Sequence, residues 1–182
     1  MIFTNDDIIH EIALVCEPVS MFVLKHLTRQ CYDKIHVNSL SLHWFNRYAT
    51  SCGQLNILKW ADTLNYKWST ETGLGAARCG HLDILKWAKK RGYKMRYEMV
   101  SNHAAREGHM DILRWMKKNN YIFDRYDTAA AAIGGQLRVL KWLKKNNCPW
   151  DELTCRRAAR YGHLKVLKWA RKNGCPWGNG TS

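Results

Sequence analysis

The sequence predicts an all-α fold, a stacked array of short helix pairs preceded by a separate helical segment. Three observations carry this. First, a unit of about 27 residues recurs five times, beginning at Gly53, Gly80, Gly108, Gly135 and Gly162 with spacings of 27, 28, 27 and 27. A fixed period in this range marks a solenoid, in which no unit can bury its apolar face alone and neighbours bury it for each other. Second, every unit holds an apolar stripe at helical spacing. Third, the charge divides where the repeats begin. Residues 1–52 hold four Lys/Arg against five Asp/Glu, a net of −1, while residues 53–182 hold 25 against 10, a net of +15. Two regions with different surfaces are implied.

The N-terminal segment, residues 1–36, begins with Asp6-Asp7-Ile8-Ile9-His10-Glu11-Ile12, an acidic helix start with an apolar face. Pro18 sits in a turn, and Met21-Phe22-Val23-Leu24, Leu27, Cys31, Tyr32 and Ile35 form a second helical stripe. Residues 37–46 then start the helix that ends near Ser51. In the array (37–178) each first helix is marked by a small pair before the glycine: Ala76-Ala77, Ala104-Ala105, Ala131-Ala132, Ala158-Ala159 and, more loosely, Ala49-Thr50. A tight glycine turn leads to the second helix. Its stripe reads Leu82, Ile84, Leu85, Trp87, Ala88 in one copy and Leu137, Val139, Leu140, Trp142, Leu143 in another. Basic residues fill the last turn, as in Lys89-Lys90 and Lys144-Lys145, where cations complement the helix C-terminus. Gly92, Gly174 and the Asn pairs at 119–120 and 146–147 suit left-handed C-caps, and Pro149 and Pro176 stop the helix continuing. A loop of roughly 6–9 residues closes the unit. Residues 179–182 read as a flexible tail.

Composition excludes several classes. No apolar run approaches the about 18 residues of a membrane span, and Met1 to Asp7 lacks the basic n-region of a signal peptide. The seven cysteines contain no Cys-x-x-Cys pair, and Cys148/Cys175 and Cys52/Cys79 recur by duplication, which suits reduced cysteines packed as small hydrophobes. His81, His109 and His163 follow repeat glycines but give way to Gln54 and Gln136, so they read as polar contacts at helix starts and not as a metal array. Asp6-Asp7 and Asp151-Glu152 are adjacent, as at helix starts, and do not form a facing acid–base pair. With no phosphate loop and no zinc-spaced set, the expectation is no enzyme, no cofactor, no metal and no small-molecule substrate. The recurring tryptophan (Trp60, Trp87, Trp115, Trp142, Trp169) is expected in the core, and the loop aromatics Trp68, Phe123, Trp150 and Trp177 are expected to seal adjacent loops.

The pattern Ala-Ala-x-x-Gly-His-Leu-x-Ile/Val-Leu-Lys across residues 53–178 resembles the ankyrin repeat. The family period is about 33. The residues missing here fall in the loop that forms the projecting β-hairpin finger, and the family's Thr-Pro-Leu-His tetrapeptide is replaced, as by Thr154-Cys155-Arg156. The resemblance therefore implies a solenoid with shortened or absent fingers. Units with Leu-Lys-Trp-Ala and Cys-Pro-Trp are similar to short repeats of large DNA viruses of amoebae and of some protists. Residues 3–36, with Ile8, Ile9, Ile12, Pro18 and Leu24 in order, resemble an F-box, though Thr4-Asn5 stands where that family has Leu-Pro. The alternative is a degenerate capping repeat, since Val23-Leu24-Lys25-His26-Leu27 resembles Ile57-Leu58-Lys59-Trp60-Ala61.

These resemblances imply a protein–protein interaction module. With the F-box, they imply a substrate adaptor that engages a Skp-type subunit of a cullin ubiquitin ligase, in the cytoplasm (of an infected host cell if viral), with the nucleus open to it. Positions that vary between units suit partner choice: Glu71 and Thr72, Glu98 and Met99, Arg125 and Tyr126, Glu152 and, further along, Arg156. A basic ladder, Lys59, Lys86, Arg114, Lys141 and Lys168, recurs in all five units, followed four residues on by Lys90, Lys118, Lys145 and Lys172 in the last four. That ladder is either a solvated face or a surface for nucleic acid or an acidic protein. A structural role in a larger, viral assembly is a further reading.

Overall fold

The computed structural model describes residues 49–63 and 68–177. The 1–36 segment with Ile8, Ile9, Ile12, Pro18 and Leu24, and the 179–182 tail, lie outside the described residues. Among those described there are nine α-helices and no strand: α1 (Leu55–Thr63), α2 (Thr70–Cys79), α3 (Leu82–Lys90), α4 (Tyr97–Glu107), α5 (Met110–Lys118), α6 (Arg125–Ile133), α7 (Leu137–Lys145), α8 (Glu152–Arg160) and α9 (Leu164–Lys172). The expected all-α class holds, as a helical repeat. The loops at 91–96, 119–124 and 146–151 have six residues each, the short end of the expected range.

Each first helix is closed in the same way. The backbone N–H after the glycine reaches the carbonyl of the first small residue, His81 to Ala76 at 2.9 Å, His109 to Ala104 at 2.9 Å, Gln136 to Ala131 at 2.8 Å and His163 to Ala158 at 2.8 Å. This closure needs a left-handed residue between them, and Gly80, Gly108, Gly135 and Gly162 have φ of 82°, 89°, 68° and 74°. The second helices end on Gly92, Asn120, Asn147 and Gly174, all at positive φ as expected. Asn119, Asn146 and Asn173 add a side-chain bond back to the carbonyls of Trp115, Trp142 and Trp169. Starts are capped where the residue allows it. Ser69 accepts from Thr72 N–H, Asp151 from Leu153 N–H, and Asp124 forms a reciprocal capping box with Asp127. At α4 the residue before the helix is Arg96, which makes no side-chain cap, and here the 28-residue unit absorbs its extra residue as a longer helix of 11 residues.

First helices pack on neighbouring first helices and on the second helix of their own unit. The stripe residues Ile84, Leu85, Ile112, Leu113, Val139, Leu140 and Leu143 are sealed between them, as are Ala76, Ala77, Ala104, Ala105, Ala131 and Ala132. The small pairs let backbones approach closely. At Gly134 the approach is extreme, since a Cβ there would lie 1.7 Å from the Arg106 carbonyl oxygen. The tryptophans differ from expectation. Trp87, Trp115, Trp142 and Trp169 are half-buried at the edge of the core. Three of them meet the aromatic of the loop that closes the preceding unit edge-on: Trp68–Trp87 at 5.8 Å, Phe123–Trp142 at 5.5 Å and Trp150–Trp169 at 5.8 Å. An indole is too large to fit between two closely packed helices, and it covers their margin instead.

Successive units are locked by a side chain that crosses between them. The histidines do not cap their own helices. Each lies across the glycine of the preceding unit and donates from Nε2 to a carbonyl two residues before it: His81 to Ser51 at 3.1 Å, His109 to Arg78 at 2.9 Å and His163 to Ile133 at 2.8 Å. Gln136 occupies the same seat over Gly108. A Cβ on Gly53, Gly80, Gly108 or Gly135 would lie 2.6–2.7 Å from the incoming side chain, whereas Gly162 has nothing within 4 Å.

This pair of environments makes a controlled test. Gly162→Ala should lose only the backbone cost of a left-handed alanine, about 1–2 kcal/mol. Gly80→Ala should lose about 1 kcal/mol more, because the His109 hydrogen bond must also break. In urea unfolding, adding His109→Ala should cost little in the Gly80→Ala background and clearly more in the Gly162→Ala background. Equal losses in the two single variants would contradict the lock.

Candidate interaction surface

The surface with most chemistry lies where α6 and α8 begin. Asp124 and Asp151 fix these starts, so the next side chains are projected in register one unit apart. Arg125 lies over the Tyr126 ring at 5.1 Å, donates from Nη2 to the Tyr126 hydroxyl at 3.3 Å, and pairs through Nη1 with Asp151 of the next unit at 3.5 Å. Tyr126 is 51% exposed and Ile122, in the loop just before, is 86% exposed. The structure thus brings Arg125 and Tyr126 together, with Ile122 exposed in the loop that leads into the same helix. Glu71, Glu98, Glu152 and Arg156 are exposed along the same series of first helices.

Two of the sequence-derived contact positions are otherwise. Thr72 is buried and its hydroxyl lies 3.0 Å from that of Ser69, so it completes a helix start and presents nothing outward. Met99 is half-buried against the core. Both fall where the helix turns inward. Thr72 is equivalent to Val100, Asp127 and Thr154, all buried. Ile122 was missed, although a signal existed. It sits between Tyr121 and Phe123, which pack on each other at 5.1 Å, and an extended triplet that turns its two outer rings inward must turn the middle residue out. The other loops place Lys94, Pro149 and Pro176 there.

The basic ladder occupies the second helices. Lys59, Lys86, Arg114, Lys141 and Lys168, and also Lys90, Lys118, Lys145 and Lys172, are all exposed. Among the described residues, the ion pairs are made by Arg91, Arg106 and Arg125, and no ladder cation is in one. Several cations lie over the edge tryptophans instead: Lys89 5.9 Å from the Trp115 centroid, Lys141 6.0 Å from Trp169, Lys144 4.2 Å from Trp150 and Arg171 4.3 Å from Trp177.

One buried polar cluster underlies the α6 start. Asp127 is 1% exposed. Its Oδ2 accepts from the Asp124 N–H at 2.9 Å, and its Oδ1 has no hydrogen-bond partner. Burial pushes its carboxyl up to about 6. Burial likewise pushes the Tyr121 phenol and the Cys148 thiol up to about 12. The Cys148 and Cys175 thiols donate to the carbonyls of the cap residues Asp124 and Asp151 at 3.1 and 3.3 Å, so the recurring cysteine ties its loop to its own helix start. The cluster is sealed, and these groups hold the α6 start in place. Among the described residues, no group of three or more His, Cys, Asp or Glu is arranged to hold a metal ion, and no helix is long and apolar enough to cross a membrane.

No protein-family model matches this sequence, and no curated protein matches it.

Asp127 sets a pH dependence. Its carboxyl binds a proton more tightly folded, at about 6, than at its ordinary 3.8. Stability should therefore fall as pH rises from about 4 to about 6 and then level off, with a total of roughly 3 kcal/mol from this group. Asp127→Asn keeps an acceptor for the Asp124 N–H and cannot ionise. Urea unfolding at a series of pH values should show this decline in the parent and not in the variant.

Proposed function

We propose that this chain is a non-enzymatic protein-interaction module of the ankyrin type, with the row of first-helix starts as its contact surface. The observation that carries this reading is exposed Tyr126 under Arg125, with exposed Ile122 in the loop just before, flanked by charged positions that differ from unit to unit. Tyrosine and arginine around an apolar neighbour are the residue types that dominate binding energy in protein interfaces. The adaptor role rests on the sequence of residues 3–36. In that reading the F-box-like segment engages a Skp-type subunit of a cullin ubiquitin ligase and the array holds the target. The cytoplasm of a host cell suits this role.

Affinity capture from a eukaryotic lysate tests both halves. Capture of a Skp-type subunit together with a second protein is expected. With a folded array, failure to recover the subunit would remove the adaptor role. Tyr126→Ala with Ile122→Ser should weaken capture of the second protein at least about tenfold, the size of one interface hot spot, and should leave the Skp-type subunit bound.

A further inference from the structure

The second helices do not carry equivalent charge. In α3 and α5 the outer stripe at i, i+3, i+7 reads Asp83, Lys86, Lys90 and Asp111, Arg114, Lys118. The acid complements the helix N-terminus and stands one turn from a cation, both favourable arrangements. In α7 and α9 the same stripe reads Arg138, Lys141, Lys145 and Lys165, Lys168, Lys172, and neither helix has an acidic residue. A cation in the first turn opposes the helix dipole, and like charges one turn apart repel. Solubility would be served as well by the Asp-bearing stripe, so a stripe that weakens its own helices needs another reason.

The two helices are in contact with each other, and all six cations are exposed. Seven residues of helix span about 10 Å, and neighbouring helices lie about 8–10 Å apart. The six charges therefore form a patch roughly 10 Å on a side. None of them pairs with a carboxylate among the described residues.

We propose that this α7–α9 patch binds the phosphate backbone of duplex DNA without reading its sequence. Duplex DNA carries one charge per about 1.7 Å of axis, so a patch of this size meets several phosphates. The two stripes hold only cations, and Leu164 at the first position of α9 is the one large apolar side chain of these two helices that is exposed, so the patch lacks the clustered apolar anchors a protein partner requires. Single-stranded nucleic acid would need free aromatic faces for its bases. Here Trp142 is half-buried and meets Phe123 edge-on, while Trp169 lies beneath Lys141. The surface is separate from the Tyr126 region, so the two activities can fail independently.

The test is binding of the full chain to a duplex DNA oligonucleotide across a salt series. The affinity should fall with a log–log slope of about −4 or steeper. The decisive variant is Arg138→Asp with Lys165→Asp, which gives α7 and α9 the residue type found in α3 and α5. Its melting temperature should match or exceed the parent's, while affinity drops at least about tenfold and the slope flattens by about 2. Tyr126→Ala should bind as the parent does. No binding at about 50 mM salt, undiminished binding by the double variant, tighter binding of single strands, or equal competition by polyglutamate would each overturn the proposal.

Discussion

Everything in the array depends on the absence of one carbon atom per unit. The turn glycine has a positive φ, which closes its own first helix, and it also leaves room for the imidazole or amide that arrives from the next unit. The two demands coincide because the left-handed turn exposes the last carbonyls of the helix, and those carbonyls are what the incoming Nε2–H seeks. The histidine therefore satisfies a helix end that would otherwise be short of partners and sets the spacing between units. Other crossings repeat the step on different chemistry: Asp62 receives the Arg91 guanidinium and the Tyr93 hydroxyl, and the Thr128 and Thr154 hydroxyls lie 3.1 Å apart in the core. The apolar stripe supplies burial, and these polar contacts fix the register.

This division of labour explains why function is pushed to the margins. The interior is occupied by alanine pairs and branched aliphatics, and its polar groups are spent on caps. What remains to act outward are the helix starts, where Ile122 in the loop and Tyr126 in the first turn of α6 are exposed, and the backs of the second helices. The edge tryptophans serve both sides. They close the core and present ring faces over which the Lys89 and Lys141 ammonium groups lie.

Much of this was legible in the sequence because periodicity is a one-dimensional property. The period fixed the helix pairs, and Gly, Asn and Pro marked their ends where the structure has them. The features that were not legible depend on neighbours in space. The direction of His109 cannot be read from its own helix, since its partner belongs to Arg78. Thr72 and Met99 varied between copies as a contact surface should, yet the Thr72 site is buried in every described copy, holding Val100, Asp127 and Thr154 elsewhere. The tryptophans recurred as core residues do, but recurrence does not distinguish the centre of an interface from its rim. The burial of Asp127 follows from the packing of α4 and α8 on either side of α6, which nothing local to its own helix shows.

The histidine-over-glycine contact has a consequence for how such a chain can change length. Any stretch from one turn glycine to the next contains one key and one seat. Duplicating it within the gene adds both together, and deleting it removes both together, so neither event leaves a mismatched junction inside the stack. The seat accepts any flat polar side chain that lies across the glycine, as glutamine does at position 136. Copies can then drift at their helix starts and on their backs while remaining interchangeable at their joints, and a new surface can arise by copying before any residue at the joint has to mutate.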